Sequence, residues 1–218
     1  LYSRYSASEP YTPILAVPRP RAILRPMNHA VRPTANEPRT TRAADGMERR
    51  AFTVEEVEAM VAAGIVGADE RFELIGGEMV PMSPKGARHE MVKIELNRWF
   101  QVMAPKDVSV APETTLRLDR LNFIEPDFCV FDRALDLTKL DGSRVRLAVE
   151  VAASSLAYDL GRKIGLYAAF GVPEVWVVDA ATLVTRIHRR LGAEGYADVR
   201  DLGPAERLVP VRAPQLAV

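Results

Sequence analysis

The feature that most constrains the fold of this chain is a strand–helix–strand pattern in residues 144–179. Residues 144–151 and 174–178 are apolar runs of strand length, and residues 156–170 between them carry apolar side chains at helical spacing. Gly171-Val172-Pro173 ends the helical stretch and turns the chain. A connection of this length is typical of two parallel strands joined by a crossover helix. The pattern therefore predicts an α/β fold.

The preceding residues add two helices and several strands. Thr53 and Glu56 form a capping-box pattern at the start of a short helix, and the Gly76-Gly77 pair between two apolar runs indicates a β-hairpin. Residues 86–102 are predicted to form a second helix with a buried face of Met91, Ile94, Leu96, Trp99 and Phe100. Further short strands are expected at residues 107–111, 114–118, 123–131 and 185–189. We expect a mixed central sheet flanked by helices on both faces.

Three regions are predicted along the chain. Residues 1–46 hold seven of the 16 prolines and seven Arg but no Lys, so we expect a disordered Pro/Arg-rich extension. Met47 directly precedes the first foldable stretch, which leaves two interpretations of the extension: an arm that contacts nucleic acid, or sequence upstream of the true translation start. Residues 47–192 are predicted to form the folded domain. Residues 193–218, where the periodic signal fades, are predicted to be a C-terminal tail.

Composition excludes several classes of protein. No apolar run approaches the roughly 18 residues of a membrane-spanning helix, so we expect no membrane association. The single cysteine, Cys129, excludes an intrachain disulfide and a cysteine-based zinc site, and it fits a protein of the reducing cytoplasm. Residues 47–218 carry 22 basic and 26 acidic side chains. They lack the basic surplus that is usual in nucleic-acid-binding proteins, although a nuclease can concentrate a few basic side chains in one cleft.

Two carboxylates and a lysine form the candidate catalytic set. Glu150 lies near the carboxyl end of its predicted strand, where open α/β sheets usually place their sites, and Asp127 follows Pro126 at a predicted strand start. If the two strands are neighbours, both carboxylates can reach one Mg²⁺ or Mn²⁺ ion, which prefers oxygen ligands. Lys163 would then stabilise the negative charge that develops during phosphodiester hydrolysis. The alternative interpretation is structural, because Asp159 and Lys163 have the i, i+4 spacing of an ion pair on a helix surface.

Several short motifs follow one another in an order that is typical of one nuclease family. They are FELIGGEMVPMS (72–83), His89, EPD (125–127), VEV (149–151), SLAYD (155–159) with Lys163, and YAAFGVPEVWVVD (167–179). From Met47 to about Arg190 the chain thus resembles the putative restriction endonuclease family of the PD-(D/E)XK nuclease superfamily. The resemblance implies a restriction-endonuclease-like core and metal-dependent cleavage of phosphodiester bonds in DNA.

The resemblance also implies which residues form the catalytic site. Asp127 and Glu150 match the two metal carboxylates of the superfamily. The usual lysine, two residues after the second acid, is replaced by Ala152 in this chain, and Lys163 on the next helix would take its role.

Three further acids and bases are implied as accessory residues. Glu73 matches an acid of the first hairpin of the family and is a candidate third ligand of the metal ion or of water, unless it pairs with a nearby Arg. His89 matches a recurrent histidine of the family and could instead cap or pack against its helix. Asp159 belongs to the matched segment that leads to Lys163.

Three functions remain open at this stage. The first is a Mg²⁺-dependent endonuclease that acts on DNA. The second is a catalytically inactive nuclease-fold protein that binds nucleic acid or a partner, which the acidic folded part and the displaced lysine favour. The third is a hydrolase of another phosphoester, because no base-reading element is evident. Symmetric cleavage of duplex DNA would require a homodimer, although no segment of the sequence identifies an interface.

Overall fold

The computed structural model describes residues 50–67, 69–82, 84–153 and 159–218. The predicted extension at residues 1–46 and part of the family motifs, Ser83 and residues 154–158, lie outside the described residues. The described helices are α1 (Val54–Ala62), α2 (Ala87–Met103), a π-helical turn (Asp159–Lys163) and α3 (Ile164–Ala169), with short 3₁₀ turns at Leu137–Lys139, Gly142–Arg144 and Pro214–Leu216. The strands are β1 (Phe72–Ile75), β2 (Glu78–Pro81), β3 (Val108–Pro112), β4 (Leu116–Asp119), β5 (Asn122–Ile124), β6 (Phe128–Asp132), β7 (Val145–Ala152), β8 (Val175–Asp179), β9 (Thr185–Gly192) and β10 (Gly195–Leu202).

The larger sheet has six strands in the order β10-β9-β8-β7-β6-β3. β7 and β8 are parallel, with Glu150 opposite Val177, and the other neighbouring pairs are antiparallel. The predicted mixed sheet and its parallel strand–helix–strand unit are therefore confirmed. β6 and β7 are direct neighbours, which satisfies the condition on which the shared carboxylate site depended.

The centre of this sheet is buried on both faces because successive side chains point to opposite sides. On one face, Leu147 and Val149 of β7 pack in a cluster with Phe100 of α2. On the other face, Ala148 and Ala152 pack in a cluster with Tyr167 of α3. Glu150 lies between these two alanines in the alternation, so its side chain belongs to the α3 face.

A second, antiparallel sheet of four strands has the order β2-β1-β5-β4, and α1 packs against it. This sheet was not expected as a separate layer. The strand predicted at residues 123–131 is divided at Pro126: the part before it joins the small sheet as β5, and the part after it joins the large sheet as β6. The physical reason is that proline has no backbone N–H for a sheet ladder. Asp127 therefore lies at the junction between the two sheets.

The folded domain extends beyond the boundary predicted at residue 192. β10 pairs with β9 along its whole length, and Leu216 is fully buried against the large sheet. The prediction of a C-terminal tail from residue 193 is therefore wrong. The sequence pattern of β10 is weak because β10 is an edge strand whose side chains are mostly half-buried or exposed.

The buried face of α2 also differs from the prediction. Met91, Ile94 and Trp99 are 67%, 55% and 43% exposed, and only the stripe of Val92, Leu96 and Phe100 packs on the sheet. These three residues are spaced by four, which is a narrower stripe than a typical amphipathic helix presents. None of the described helices has both the length and the apolarity needed to cross a bilayer.

Candidate active site

One pocket of about 340 Å³ opens between the N-terminus of α2, the small sheet and the carboxyl end of β7. All the residues that sequence analysis singled out as catalytic, metal-binding or accessory line this pocket. They are Glu73, His89, Asp127, Glu150, Asp159 and Lys163. Their roles stay predictions, but their convergence in space is a property of the fold.

Asp127 and Glu150 are brought together by the pairing of β6 with β7. Phe128 is opposite Val149 in the antiparallel register, so Asp127, which precedes Phe128, is adjacent to Glu150, which follows Val149. Both carboxylates are nearly inaccessible to solvent, at 5% and 4% exposure. Buried carboxylates need charged or hydrogen-bonding partners, and each of these has several.

Three groups fix the Asp127 carboxylate. Its Oδ1 lies 2.9 Å from Lys85 Nζ, and its Oδ2 accepts a hydrogen bond from the Val151 backbone N–H at 2.8 Å and lies 3.2 Å from His89 Nε2. Burial alone would raise the pKa of Asp127, but the hydrogen bonds from His89, Val151 and Lys85 outweigh it and lower this pKa to about 2. Asp127 is therefore a fixed anion at neutral pH.

Glu150 has the opposite electrostatic character. Its Oε1 accepts a hydrogen bond from the Tyr167 hydroxyl at 2.5 Å and lies 2.8 Å from Lys163 Nζ. Burial raises the pKa of Glu150 to about 8; Lys163 opposes this shift, while the nearby carboxylates of Asp159, Asp127 and Glu73 add to it. Two neighbouring carboxyl groups with pKa values this far apart are a recurrent feature of catalytic sites.

Lys163 reaches the acids from the helical segment after β7. Its Nζ lies 2.9 Å from Glu73 Oε1 and 2.8 Å from Glu150 Oε1, with Asp159 Oδ1 at 3.9 Å. Burial alone would lower the pKa of Lys163, but the charges of Glu150, Glu73 and Asp159 outweigh it and raise this pKa above its usual range. Asp159 and Lys163 do face each other as their spacing suggested, but both are buried in the pocket rather than on a helix surface.

The π-helical turn Asp159–Lys163 accounts for how the lysine reaches the pocket. A π-turn widens the helix by one residue relative to an α-turn, and such turns occur frequently at functional sites. Both of its terminal side chains, Asp159 and Lys163, point into the pocket. Ala152 stands at the position where the resemblance implied a lysine, and the ammonium group of Lys163 contacts Glu150 instead.

Glu73 connects the small sheet to the site. It lies on β1, is 3% exposed, and its Oε1 accepts a hydrogen bond from the Glu125 backbone N–H at 3.0 Å as well as contacting Lys163. The expected alternative, pairing with an arginine, is replaced by pairing with this lysine. Through Glu73, the β1–β2 hairpin contributes a carboxylate to the pocket that also contains Glu150 of the large sheet.

The donor set of the pocket fits a hard divalent cation by its chemistry. Asp127, Glu150 and Glu73 offer only carboxylate oxygens, which suit Mg²⁺ or Mn²⁺. Within the described residues, no group of three or more His, Cys, Asp or Glu is arranged to hold a metal ion. Mg²⁺ commonly uses one or two protein carboxylates together with water and phosphate oxygens, so a two-carboxylate site meets its needs.

The sequence model of the Uma2 family, described as "Putative restriction endonuclease", matches residues 54–217. The chain belongs to the Uma2 family. The predicted family is therefore confirmed, and the match includes β10 and the C-terminal segment that sequence analysis left outside the domain.

The fold of this Uma2 family member is similar to that of a solved structure. The crystal structure is that of a putative nuclease belonging to DUF820 from Anabaena variabilis. The TM-score is 0.57 at 14% sequence identity, and the similarity covers 73% of this chain and 89% of that one. At this identity the likeness concerns the fold alone. No curated protein matches the chain.

Three groups that contact the two central acids were not predicted from the sequence. They are the ammonium group of Lys85, the backbone N–H of Val151 and the hydroxyl of Tyr167. Tyr167 is completely buried in the core, and its hydroxyl also donates to Glu150. Lys85 directly precedes Gly86, the N-cap of α2, and the two acids that it contacts lie 28 and 42 residues away in the sequence.

Proposed function

We propose that this chain is a metal-dependent endonuclease that hydrolyses phosphodiester bonds in DNA. The observation that carries the proposal is the 2.8 Å contact between Lys163 Nζ and Glu150 Oε1 in a pocket that Asp127 also lines. Two acids and a lysine are the minimum set for this chemistry, and the displaced lysine was the weakest part of the pattern. Its contact with the second acid supports the catalytic interpretation over that of a surface ion pair.

Asp127 and Glu150 would hold the Mg²⁺ or Mn²⁺ ion, and Glu73 would act on it through water rather than as a direct ligand. When bound, the cation would offset the negative charge that develops on the phosphate group during hydrolysis. The low pKa of Asp127 keeps this carboxylate ionised at neutral pH, whereas Glu150, with its raised pKa, would lose its proton when the cation binds.

The side chains of the pocket would prepare the site for the phosphate. Lys163 keeps its proton because its pKa is raised, so its ammonium group can donate hydrogen bonds to a phosphate oxygen. The Val151 N–H and His89 hold the Asp127 carboxylate in one orientation, and the Tyr167 hydroxyl does the same for Glu150. Such preorganisation lowers the cost of reorganising the site during the reaction.

Cleavage of supercoiled plasmid DNA with added Mg²⁺ or Mn²⁺ tests the proposal. We expect the wild-type protein to nick or linearise the plasmid, and Glu150→Gln, Asp127→Asn and Lys163→Gln to lose about 100-fold or more in rate. Glu194→Gln, an exposed glutamate in the turn between β9 and β10, is the matched control and should cut like the wild type. Wild-type-like cutting by the three pocket variants would refute the assignment of the site.

A nucleic-acid-binding protein that does not cut is the second candidate. The same contacts also favour this candidate, because Lys163 and Lys85 already neutralise the carboxylates that a cation would need. Calorimetric titration with Mn²⁺ separates the two candidates. Mn²⁺ binding by the wild type that is lost in Asp127→Asn favours the nuclease, whereas DNA binding without any Mn²⁺ binding favours the second candidate.

A further inference from the structure

A second cluster of charges lies at the edge of the pocket, around Glu113. One oxygen of this carboxylate, Oε1, lies 2.5 Å from Lys85 Nζ, 2.8 Å from Lys93 Nζ and 3.6 Å from an Arg71 guanidinium nitrogen. Arg71 directly precedes β1, Lys85 directly precedes the N-cap of α2, and Lys93 lies in the second turn of α2. The edge of the small sheet and the N-terminal part of α2 thus direct positive charge at one point.

The backbone holds Glu113 at this point in an unfavourable conformation. Glu113 has φ of 51°, in the left-handed region that residues other than glycine rarely adopt. Its N–H donates a hydrogen bond to the Asp127 carbonyl oxygen at 3.2 Å, which ties the loop after β3 to the start of β6. The hydrogen bonds from Lys85 and Lys93 lower the pKa of Glu113 to about 2, so its carboxylate is an anion at neutral pH.

Charge balance alone does not require Glu113. Each of the three cations also contacts a second carboxylate: Arg71 contacts Glu125, Lys85 contacts Asp127, and Lys93 contacts Glu90. Another anion could therefore replace the Glu113 carboxylate without leaving any of the cations unpaired. A phosphodiester group carries one negative charge, as a carboxylate does, so the exchange would conserve charge.

The surroundings of the cluster suit a phosphate. Lys85 links the cluster directly to the candidate active site, because its Nζ contacts both Glu113 and Asp127. α2 begins at this edge of the pocket with Gly86 as its N-cap, which offers no side chain to cap the helix. The N-terminus of a 17-residue helix adds a partial positive charge and backbone donors that favour an anion.

We propose that Lys85, Lys93 and Arg71 form a subsite for a backbone phosphate of the nucleic-acid strand, and that the Glu113 carboxylate occupies this subsite when the strand is absent. The bound phosphate would be a neighbour of the one that is hydrolysed. This inference rests on the proposed function and adds to it a group that competes with the substrate. Binding of the strand would displace Glu113 from the lysines and transfer their hydrogen bonds to phosphate oxygens.

Binding of a fluorescein-labelled DNA oligonucleotide, followed by fluorescence anisotropy in EDTA, tests this subsite. We expect Glu113→Gln to bind several-fold more tightly than the wild type, because the competing anion is removed while the lysines remain. We expect Lys93→Gln to bind about 5- to 10-fold more weakly and to lower the slope of log Kd against log salt concentration by about one, as loss of one phosphate contact requires. Glu194→Gln and Lys139→Gln, both at exposed residues, are matched controls that should bind like the wild type.

Thermal unfolding of each variant separates a binding effect from a folding defect. Arg71→Gln, at a side chain that is 44% exposed, provides a second cation variant if Lys93→Gln does not fold. Unchanged DNA affinity in folded Glu113→Gln, Lys93→Gln and Arg71→Gln would overturn the proposal and leave a structural ion-pair network. Inorganic phosphate is the second probe. If the substitutions change the affinity for phosphate but not the affinity for DNA, the assignment to a nucleic-acid strand is also overturned.

Plasmid cleavage, measured separately, shows which proposal fails. If the wild type cuts DNA but the Glu113 and Lys93 variants bind it unchanged, only the subsite is refuted. If the wild type does not cut but binding responds to these variants as expected, the subsite stands without the nuclease activity.

Discussion

At the scale of single residues, the charge of Glu150 is coupled to the stability of the fold. Burial raises its pKa from 4.5 to about 8, so between these two pH values the folded protein holds a proton that the unfolded chain has released. The contribution of Glu150 to the free energy of unfolding therefore falls as the pH rises from about 4.5 to about 8. Asp127 has the opposite sign: its pKa is lowered from 3.8 to about 2, so its contribution is lost as the pH falls through that range.

This coupling predicts that Glu150→Gln becomes more stable relative to the wild type as the pH rises. Glutamine keeps the size of the side chain but has no proton to gain or lose, so it avoids the cost of protonating this carboxylate on folding above about pH 4.5. Urea unfolding at about pH 5, 6, 7 and 8 measures the difference in free energy of unfolding between the two proteins. Taking the difference cancels the contributions of other titrating groups, among them His188, whose pKa is lowered by burial. Glu194→Gln should show a constant difference, and a constant difference for Glu150→Gln would contradict the prediction.

The hydroxyl of Tyr167 provides a second prediction at this scale. Tyr167→Phe keeps the packing of a fully buried ring but removes the donor to the Glu150 carboxyl group. We expect the free energy of unfolding to fall by about 1–3 kcal/mol, because a buried acceptor loses a hydrogen bond. Tyr196→Phe is the comparison, since its hydroxyl donates to the Val172 carbonyl oxygen in a partly exposed setting. It should cost about 0.5–1.5 kcal/mol. An equal loss in the two variants would show that Glu150 has no special need of this donor.

Local patterns explain which site residues could be predicted from the sequence. Asp127 and Glu150 follow from the proline before one strand and the carboxyl end of another, both of which are visible within a few residues. Lys85 could not be predicted in the same way, because its partners Glu113 and Asp127 are 28 and 42 residues away. Contacts of this kind depend on how the two sheets pack around the N-terminus of α2, and no periodic pattern in the sequence encodes that packing.

At the scale of elements, the β1–β2 hairpin controls the delivery of Glu73. Gly76 and Gly77 both have positive φ, at 60° and 79°, as the two-residue turn between Ile75 and Glu78 requires. A Cβ on Gly77 would lie 2.6 Å from Ala51 Cβ and 2.8 Å from its Cα. Gly77 is thus restricted both by its own conformation and by the neighbouring chain.

Gly77→Ala is therefore predicted to destabilise the protein more than Gly64→Ala. Gly64, after α1, also has positive φ, at 69°, but a Cβ there would meet open space. We expect the control to lose about 1–2 kcal/mol from conformation alone, and Gly77→Ala to lose at least about 1 kcal/mol more from overpacking. Urea unfolding of both variants gives the comparison, and equal losses would mean that Ala51 moves aside without cost.

The same scale shows where sequence patterns fail for whole elements. The strand–helix–strand unit around β7 and β8 was predictable because its strands are buried on both faces and read as continuous apolar runs. β10 was not, because an edge strand with polar side chains lacks such a run. The face of α2 was misjudged because Met91, Ile94 and Trp99 are apolar yet exposed, and hydrophobicity alone cannot tell a core residue from an exposed one.

At the scale of the whole molecule, the C-terminal segment closes one face of the large sheet. Leu216 and Ala213 pack in the cluster that contains Phe100 of α2 and Trp176 of β8. The segment is held by hydrogen bonds in both directions between the backbones of Leu208 and Val218, and by the Trp99 indole N–H, which donates to the Ala217 carbonyl oxygen. These contacts make residues after 192 part of the domain that supports the candidate site. The homodimer expected for symmetric cleavage stays a prediction.

Leu216→Ala tests whether this closure contributes to the stability of the whole domain. Leu216 is completely buried, and truncating a buried leucine leaves a cavity that costs about 2–5 kcal/mol. Val218→Ala, two residues further on at a side chain that is 40% exposed, is the matched control and should cost less than about 1 kcal/mol. Urea unfolding followed by tryptophan fluorescence measures both, because Trp176 belongs to the same cluster and the Trp99 indole N–H donates to Ala217. If the segment were a tail, the two variants would be equally stable. If it belongs to the core, only Leu216→Ala lowers the unfolding midpoint substantially.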